Sequence, residues 1–228
     1  MEIRPIAIDR LDLDEVLRYM GCPPERAGAG ERELAEECAQ ALLAAARPRW
    51  TGRVLSLRFD PDGVRLEGGL LLSGEDLKRH LRGCGQAVVF CATLSAQVDA
   101  LIRRAQSGDM ARALCLDCCA AAGVEQLCDG IETYIQSCFP GCYFPFRFSP
   151  GYGDLPLEVQ NDLLALLDGP RRIGLCASSS HILTPRKSVT AILGVSDTPV
   201  EEAVRSCLSC PAGETCQYRK SGGHCGIL

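Results

Sequence analysis

The residues best suited to binding chemistry lie in one short segment, residues 147–154 (Arg-Phe-Ser-Pro-Gly-Tyr-Gly-Asp). The guanidinium of Arg147 can form a two-pronged pair with a carboxylate, and the ring of Tyr152 can pack on a flat ring or a cation. Pro150 stiffens the backbone, and Gly151 permits its close approach to a ligand. The segment predicts a site for a small ligand with a carboxylate and a flat ring. The alternative is a structural loop in which Arg147 pairs with a surface acid and Tyr152 fills the core.

A second set of reactive side chains lies near the carboxyl end, where Cys207 and Cys210 form a Cys-x2-Cys pair and Cys216 and Cys225 follow. Such a pair brings two thiolates within reach of one tetrahedral metal, and a short segment with few apolar residues gains order from a metal. Thiolates favour zinc or an iron–sulfur cluster. We therefore predict a metal site on these four cysteines, with a redox-sensitive segment that holds no metal as the alternative.

The whole chain is unusually rich in cysteine, with 15 among its 228 residues. The amino terminus has no apolar export signal, so we expect a cytoplasmic protein in which disulfides are uncommon. Cys115, Cys118 and Cys119 lie among alanines in a predicted helix. Close helix packing explains these small apolar side chains, and a redox role is the alternative.

Composition excludes several classes of function. The sequence has 24 basic and 29 acidic residues, a net charge of −5, so it lacks the excess of cations that nucleic-acid binding needs. Aromatic residues make up only 5% of the chain, and no uninterrupted apolar stretch is long enough to span a membrane. We expect neither nucleic acid nor a membrane as a partner.

Periodicity and turn residues predict an α+β body over residues 1–199 and a Cys-rich tail over residues 200–228. Strands are predicted at 1–8, 87–91, 172–177 and 188–195, a β-hairpin at 52–72 with its turn at 60–63, and helices at 11–20, 31–46, 73–81, 95–106, 109–137 and after Asp154. Ser73 with Asp76 predicts a capping box, and Asp109 and Asp154 are predicted N-caps of the helices that follow them. His80, between two basic residues, is expected to be solvated.

The 147–154 segment resembles the Arg-Pro-x-Pro-Gly-Tyr signature of the activation domain of cobalamin-dependent methionine synthase. The order downstream is also similar: an amphipathic helix, then residues 173–175 (Ile-Gly-Leu), a serine-rich segment at 178–180 and residues 184–189 (Thr-Pro-Arg-Lys-Ser-Val). The resemblance covers residues 31–195 and is most specific over 147–195. The chain departs from the family at Phe148, where the signature has proline, and at Ser179, where the family has an acid.

This resemblance implies a C-shaped α+β fold with a mostly antiparallel sheet and flanking helices, and a shallow groove that binds S-adenosylmethionine (AdoMet). Arg147 would hold the methionine carboxylate, while Pro150, Gly151 and Tyr152 would line the groove. The family has an acid that contacts AdoMet where this sequence has Ala121. Glu125, one helical turn further on, is the candidate substitute.

The resemblance further implies an AdoMet-binding activation subunit that acts in trans. Its partner would be a separate core methionine synthase or another corrinoid protein that holds the cobalamin, and a flavodoxin-like protein would donate an electron. The alternative function is a Cys-rich interaction or redox-sensor module that binds zinc or an iron–sulfur cluster and retains a vestigial AdoMet groove. An independent methyltransferase is disfavoured, because no glycine-rich loop follows a first strand.

Overall fold

The structure is a computed structural model that describes residues 2–200. Its helices are α1 (Leu13–Tyr19), α2 (Ala29–Ala45), α3 (Glu75–His80), α4 (Ala96–Gln106), α5 (Met110–Cys138), α6 (Val159–Leu167) and α7 (Gly169–Ile173), with a short 3-10 turn at Pro24–Arg26. Its strands are β1 (Arg49–Asp60), β2 (Gly63–Leu66), β3 (Leu71–Ser73), β4 (Gln86–Thr93), β5 (Cys176–Ala177), β6 (Leu183–Thr184) and β7 (Ser188–Val195).

Five of these strands form an antiparallel sheet in the order β3-β2-β1-β4-β7, and β5 pairs separately with β6. In the central strand β4, alternate side chains point to opposite faces of the sheet. Val88, Phe90 and Ala92 belong to one buried cluster, whereas Val89 and Cys91 belong to another. Both faces of the sheet are therefore covered, which explains why β4 is an almost continuous apolar run.

The two clusters make two helical layers around the sheet. Helices α1, α2, α4 and α5 cover one face, and Leu127 and Ile131 of α5 are fully buried there. The short helices α3, α6 and α7 cover the other face, with Leu77, Leu163 and Ile173 packed inward. This α+β architecture with an antiparallel sheet and flanking helices confirms the predicted fold class.

Most of the predicted elements are confirmed, and long periodic segments account for them. The turn of the hairpin joins β1 to β2 between Asp60 and Gly63, as expected from its turn residues. Asp109 caps α5, because its carboxylate accepts a hydrogen bond from the amide of Arg112 at 2.9 Å. The predicted strand at 188–195 matches β7 residue for residue.

Two predicted strands are wrong. Residues 2–8 form no strand. The indole of Trp50 in β1 donates to the carbonyl of Arg4 at 2.6 Å, and the hydroxyl of Tyr134 in α5 donates to that of Glu2 at 2.7 Å. Residues 169–173 form helix α7, because Pro170 occupies its first turn, and only the two residues of β5 lie in the predicted 172–177 strand.

The capping predictions around α3 and α6 are also wrong. The N-cap of α3 is Gly74, and Ser73 makes no capping bond. Asp154 does not cap α6, which begins at Val159; its carboxylate instead accepts hydrogen bonds from the amides of Glu75 and Asp76, at 2.7 and 3.1 Å. A carboxylate from a distant loop thus replaces the local cap. Within residues 2–200, none of the helices is both long and apolar enough to cross a membrane.

Candidate functional site

The segment that carries Arg147 runs along the edge of the sheet beside β7. Phe148 exchanges two backbone hydrogen bonds with Ile192, at 2.9 and 2.8 Å, and Tyr143 exchanges two with Ser196, at 2.8 and 3.0 Å. Both bridges are antiparallel, so the segment acts as a further partner of β7. The backbone on either side of Arg147 is therefore fixed with respect to the sheet.

Helix α3 fixes the same segment from the opposite side. His80 is buried, contrary to its predicted exposure, with 8% of its surface accessible. Its Nε2 donates to the carbonyl of Phe146 at 2.6 Å, and its ring lies 4.2 Å from the ring of Phe146 and 5.1 Å from that of Phe148, centroid to centroid. Residues before and after Arg147 are thus packed on one histidine, while Asp154 is bonded to the other end of α3.

Arg147 points toward α5 and pairs with three of its carboxylates. Nη2 donates to Glu125, and Nη1 donates to Glu132 and, at 2.8 Å, to Asp129. Asp129 and Glu132 follow Glu125 by four and seven positions, so the three acids share one face of the helix. Burial opposes the charge of the guanidinium, but the attraction of Glu132 and the hydrogen bonds that Arg147 donates to Glu132 and Asp129 raise the pKa of Arg147 above its ordinary value.

These contacts agree in part with the structural-loop alternative considered for the segment. Arg147 does pair with acids, and its side chain is only 11% exposed. Tyr152, which that alternative expected in the core, is 51% exposed and meets the ring of Phe148 edge to face at 6.0 Å. The tyrosine ring is therefore accessible to a ligand, whereas the guanidinium already has carboxylate partners.

A shallow groove of about 160 Å³ lies where the segment, α5 and β7 meet. It is lined by Glu125, Arg147, Ser149, Pro150, Tyr152, Gln160, Leu183, Ser188, Val189 and Thr190. Sites that enclose a whole drug-sized ligand measure roughly 300–1,000 Å³. This groove has room for one part of such a ligand and leaves the rest exposed.

Four of the five residues predicted to bind AdoMet line this groove: Glu125, Arg147, Pro150 and Tyr152. Gly151, the fifth, lies in the turn between two of them. Its φ of 88° is in the left-handed region that favours glycine, and its amide donates to the carbonyl of Leu155 at 2.9 Å. Gly151 shapes the loop rather than lining the groove.

Several residues of the site were missed in the sequence. Ser188 and Thr190 come from β7 and Gln160 from α6, and Thr190 donates a buried hydrogen bond to the side-chain oxygen of Gln160. No local pattern marks these residues, because the fold brings them together from distant positions. Asp129 and Glu132 could have been found, since with Glu125 they form one acidic helix face.

Seven of the eleven cysteines among residues 2–200 are buried, and these resemble packing residues. Cys38, Cys115 and Cys119 are buried where α2 meets α5, and each lies 3.7 to 4.0 Å from a backbone carbonyl of the facing helix. Desolvation raises the pKa of Cys118 to about 11, which favours its neutral thiol. Across residues 2–200, no cluster of histidine, cysteine and acidic side chains could hold a metal ion. The predicted ligands Cys207, Cys210, Cys216 and Cys225 lie outside the described residues.

A wider groove, of about 310 Å³, lies on the outer face of α3. Its lining includes Lys78, Arg79 and Arg82 together with Glu75 and Phe59. Lys78 and Arg79 form ion pairs with acids three positions earlier, and cations at the carboxyl end of a helix complement its dipole. These local effects account for Lys78 and Arg79.

Comparison with known proteins finds a similar structure but no similar sequence. No protein-family model and no curated protein matches the sequence. The fold is similar to the crystal structure of the MetH reactivation domain bound to AdoHcy, with a TM-score of 0.62 over 94% of this chain and 82% of that one, at 14% sequence identity. At this identity the likeness establishes the fold. The chain therefore has the fold of the MetH reactivation domain.

Proposed function

We propose that this chain is an AdoMet-binding activation subunit that serves a cobalamin-dependent methyltransferase in trans. The observation that carries the proposal is the groove beside β7, which gathers Glu125, Arg147, Pro150 and Tyr152 on the fold of a reactivation domain crystallised with AdoHcy. The fold and the local loop sequence point to the same ligand class.

The groups around the groove suit one part of AdoMet. The accessible ring of Tyr152 offers a surface for adenine or for a cationic sulfur, and Ser149 supplies a hydroxyl for polar atoms of the ligand. The hydroxyls of Ser188 and Thr190 already donate within the protein. When bound, AdoMet supplies a methyl group on a positively charged sulfur. The groove is open, so this part of the protein would leave that group accessible to a second protein.

The proposed partners are those that the family resemblance implies. A separate core methionine synthase, or another corrinoid protein, would hold the cobalamin, and a flavodoxin-like protein would supply one electron. Cob(II)alamin, that electron and the methyl group of AdoMet together would give methylcobalamin and AdoHcy. The role of this chain would be to bind and orient the methyl donor. Residues 1–199 would form the binding body, with 200–228 as an appended Cys-rich segment.

Binding of AdoMet is tested by calorimetry on the full chain, purified without oxygen. Tyr152→Ala removes an exposed ring from the groove, and Tyr143→Ala removes a ring of similar exposure, 45% against 51%, that does not line it. Loss of a stacked ring costs about 1–3 kcal/mol, or roughly 5- to 150-fold in affinity. We expect that loss for Tyr152→Ala alone. Absence of AdoMet binding to the wild-type chain would refute the proposal.

Action in trans needs a second assay. A core methionine synthase that lacks its own reactivation domain is allowed to inactivate and is then supplied with AdoMet, a reductant and this chain. Recovery of activity only when all three are present supports the proposed role. If AdoMet binds but the chain never restores activity with any corrinoid partner tested, the activation role fails while the binding site stands.

The alternative function is a Cys-rich zinc or iron–sulfur module that retains a vestigial groove. The observation that favours it is the pairing of Arg147 with three carboxylates, which engages the group predicted to hold the ligand. Metal analysis of the full chain and of a Cys207→Ser/Cys210→Ser variant tests it. A stoichiometric metal that the variant loses supports this function, and a metal-free wild-type chain opposes it.

A further inference from the structure

The wider groove on the outer face of α3, which we call the α3 groove, has no part in the proposed function. It is lined by Phe59, Glu75, Lys78, Arg79, Arg82 and Gly83. Its volume of about 310 Å³ lies at the lower end of the range of sites that enclose a small ligand. Three cations against one carboxylate, 3 − 1, give this lining a net charge of +2, whereas the whole chain carries −5. The α3 groove is thus a concentration of positive charge on an acidic protein.

Arg82 is the cation of the α3 groove that local pairing does not explain. Lys78 and Arg79 pair with carboxylates three positions earlier in the same helix, at 3.3 and 2.7 Å. Arg82 is exposed, and across residues 2–200 its guanidinium makes no hydrogen bond and no ion pair. A guanidinium presents a planar set of donors that matches the oxygens of a phosphate or a carboxylate. Arg82 therefore offers an unused anion-binding group to the groove.

Phe59 places a flat apolar surface beside these cations. The alternation of β1 puts it on the same face of the sheet as Leu55 and Leu57, which belong to the buried cluster that includes Leu77 of α3. Phe59 continues this row beyond the core, and 41% of its surface stays exposed. An exposed aromatic ring provides a platform on which the flat ring of a ligand can stack.

From the juxtaposition of Arg82 and Phe59 we infer that the α3 groove is a second binding site, for a small ligand that combines a phosphate with a flat ring. Nucleoside monophosphates are the chemical class that has both groups. The phosphate binds at Arg82 and the base stacks on Phe59. Lys78 and Arg79 add to the positive charge of the groove, which favours the doubly charged phosphate over a singly charged carboxylate. This site goes beyond the proposed function and does not depend on AdoMet binding.

The experiment separates the contribution of the anion from that of the ring. Inosine monophosphate, inosine and inorganic phosphate are titrated into the full chain at about 50 mM salt, and binding is followed by calorimetry and by NMR chemical shifts. Inosine lacks the phosphate, and inorganic phosphate lacks the ring. We expect inosine monophosphate to bind at least about tenfold more tightly than either of the other two.

Two variants with matched controls assign the site. Arg82→Gln should weaken inosine monophosphate by at least about tenfold and leave inosine unchanged, because only the anion contact is lost. Arg171→Gln removes an arginine that is 87% exposed and lies outside the groove lining, and it should have no effect. Phe59→Leu should weaken inosine monophosphate by about 5- to 150-fold and leave inorganic phosphate unchanged. Tyr143→Leu, at a ring that is 45% exposed and outside the lining, should change neither.

One further variant removes acids that are close to the groove in the sequence. The Cγ1 atom of Val200 lies 4.0 Å from the position of a Cβ at Gly83, and Glu201 and Glu202, outside the described residues, follow it. The titrations are therefore repeated on Glu201→Gln/Glu202→Gln, so that these carboxylates cannot compete with the phosphate. Binding to either chain that Arg82→Gln weakens and Arg171→Gln does not supports the inference.

Three results would overturn it. Inosine monophosphate could bind neither the wild-type chain nor the Glu201→Gln/Glu202→Gln variant, it could bind no more tightly than inosine, or Arg82→Gln and Arg171→Gln could weaken it equally. In each of these cases the α3 groove is only a solvated basic surface, and the proposed function stands.

Discussion

The carboxylate of Asp154 accepts a hydrogen bond of 2.7 Å from the backbone amide of Glu75, although 79 positions separate the two residues in the sequence. The first turn of α3 has no side-chain cap of its own, because its N-cap is Gly74. The loop that follows Tyr152 supplies the missing acceptor. Helix α3 and the loop over residues 147–154 consequently stabilise each other, because His80, at the opposite end of the helix, donates to the carbonyl of Phe146 just before that loop.

We predict that Asp154→Ala destabilises the protein by about 1–2 kcal/mol, the usual effect of losing an N-cap, and also weakens AdoMet binding. Asp12→Ala is the matched control, since Asp12 caps α1 by accepting from Asp14 and Glu15. It should lower stability to a similar extent and leave AdoMet affinity unchanged. Urea unfolding and calorimetry measure the two quantities. Equal affinities in both variants would show that the loop does not depend on its bond to α3.

His80→Phe tests the other end of the same contact. The variant keeps a ring beside Phe146 and Phe148 but removes the donor to the Phe146 carbonyl. A buried carbonyl that loses its partner costs about 1–3 kcal/mol, and we expect a loss of that size in urea unfolding. A variant as stable as the wild type would mean that ring packing alone holds the loop.

Local signals in the sequence predicted the elements that local interactions decide. Asp109 and the long apolar period after it predicted α5, and the apolar run at 188–195 predicted β7. Predictions failed where a distant partner decides the structure: Asp154 caps a helix far away in the sequence, and residues 2–8 are held by side chains of β1 and α5 instead of pairing as a strand.

The candidate site shows the same division. The segment with Arg147, Pro150 and Tyr152 was identified from its residues, and these three side chains do meet in one groove. Thr190 and Gln160 could not be identified, because they enter the groove from separate elements that only the tertiary fold brings together. Glu125, Asp129 and Glu132 share a helix face that the sequence shows. Their pairing with Arg147 could not be predicted, because it depends on the path of the loop along β7.

Two glycine substitutions should have opposite effects on stability. A Cβ at Gly194 in β7 would lie 2.7 Å from the sulfur of Cys84 and 2.9 Å from atoms of Leu81 and Pro145, so Gly194→Ala must displace buried neighbours. We expect a loss of about 1–3 kcal/mol.

At Gly30, in the first turn of α2, a Cβ meets nothing within 4 Å, and Gly30→Ala should stabilise by about 0.5–1 kcal/mol. Thermal and urea unfolding of both variants measure the difference. A neutral Gly194→Ala would mean that β7 and α3 can move apart without cost.

The buried thiols predict a loss of stability at alkaline pH. Desolvation raises the pKa of Cys91, which lies fully buried in β4, from 9.0 to about 12. Between these values the unfolded chain releases the thiol proton and the folded chain keeps it, so stability is complete below pH 9 and falls as the pH rises toward 12.

Cys91 alone lowers the free energy of unfolding by up to about 1.4 kcal/mol per pH unit in this range. Cys91→Ala should reduce the slope of stability against pH in urea unfolding between pH 9 and 10.5 under reducing conditions, whereas Cys176→Ala, at an exposed position, should not. If both variants keep the wild-type slope, the thiol of Cys91 ionises equally well in the folded and unfolded chains, and its burial does not control the alkaline limit.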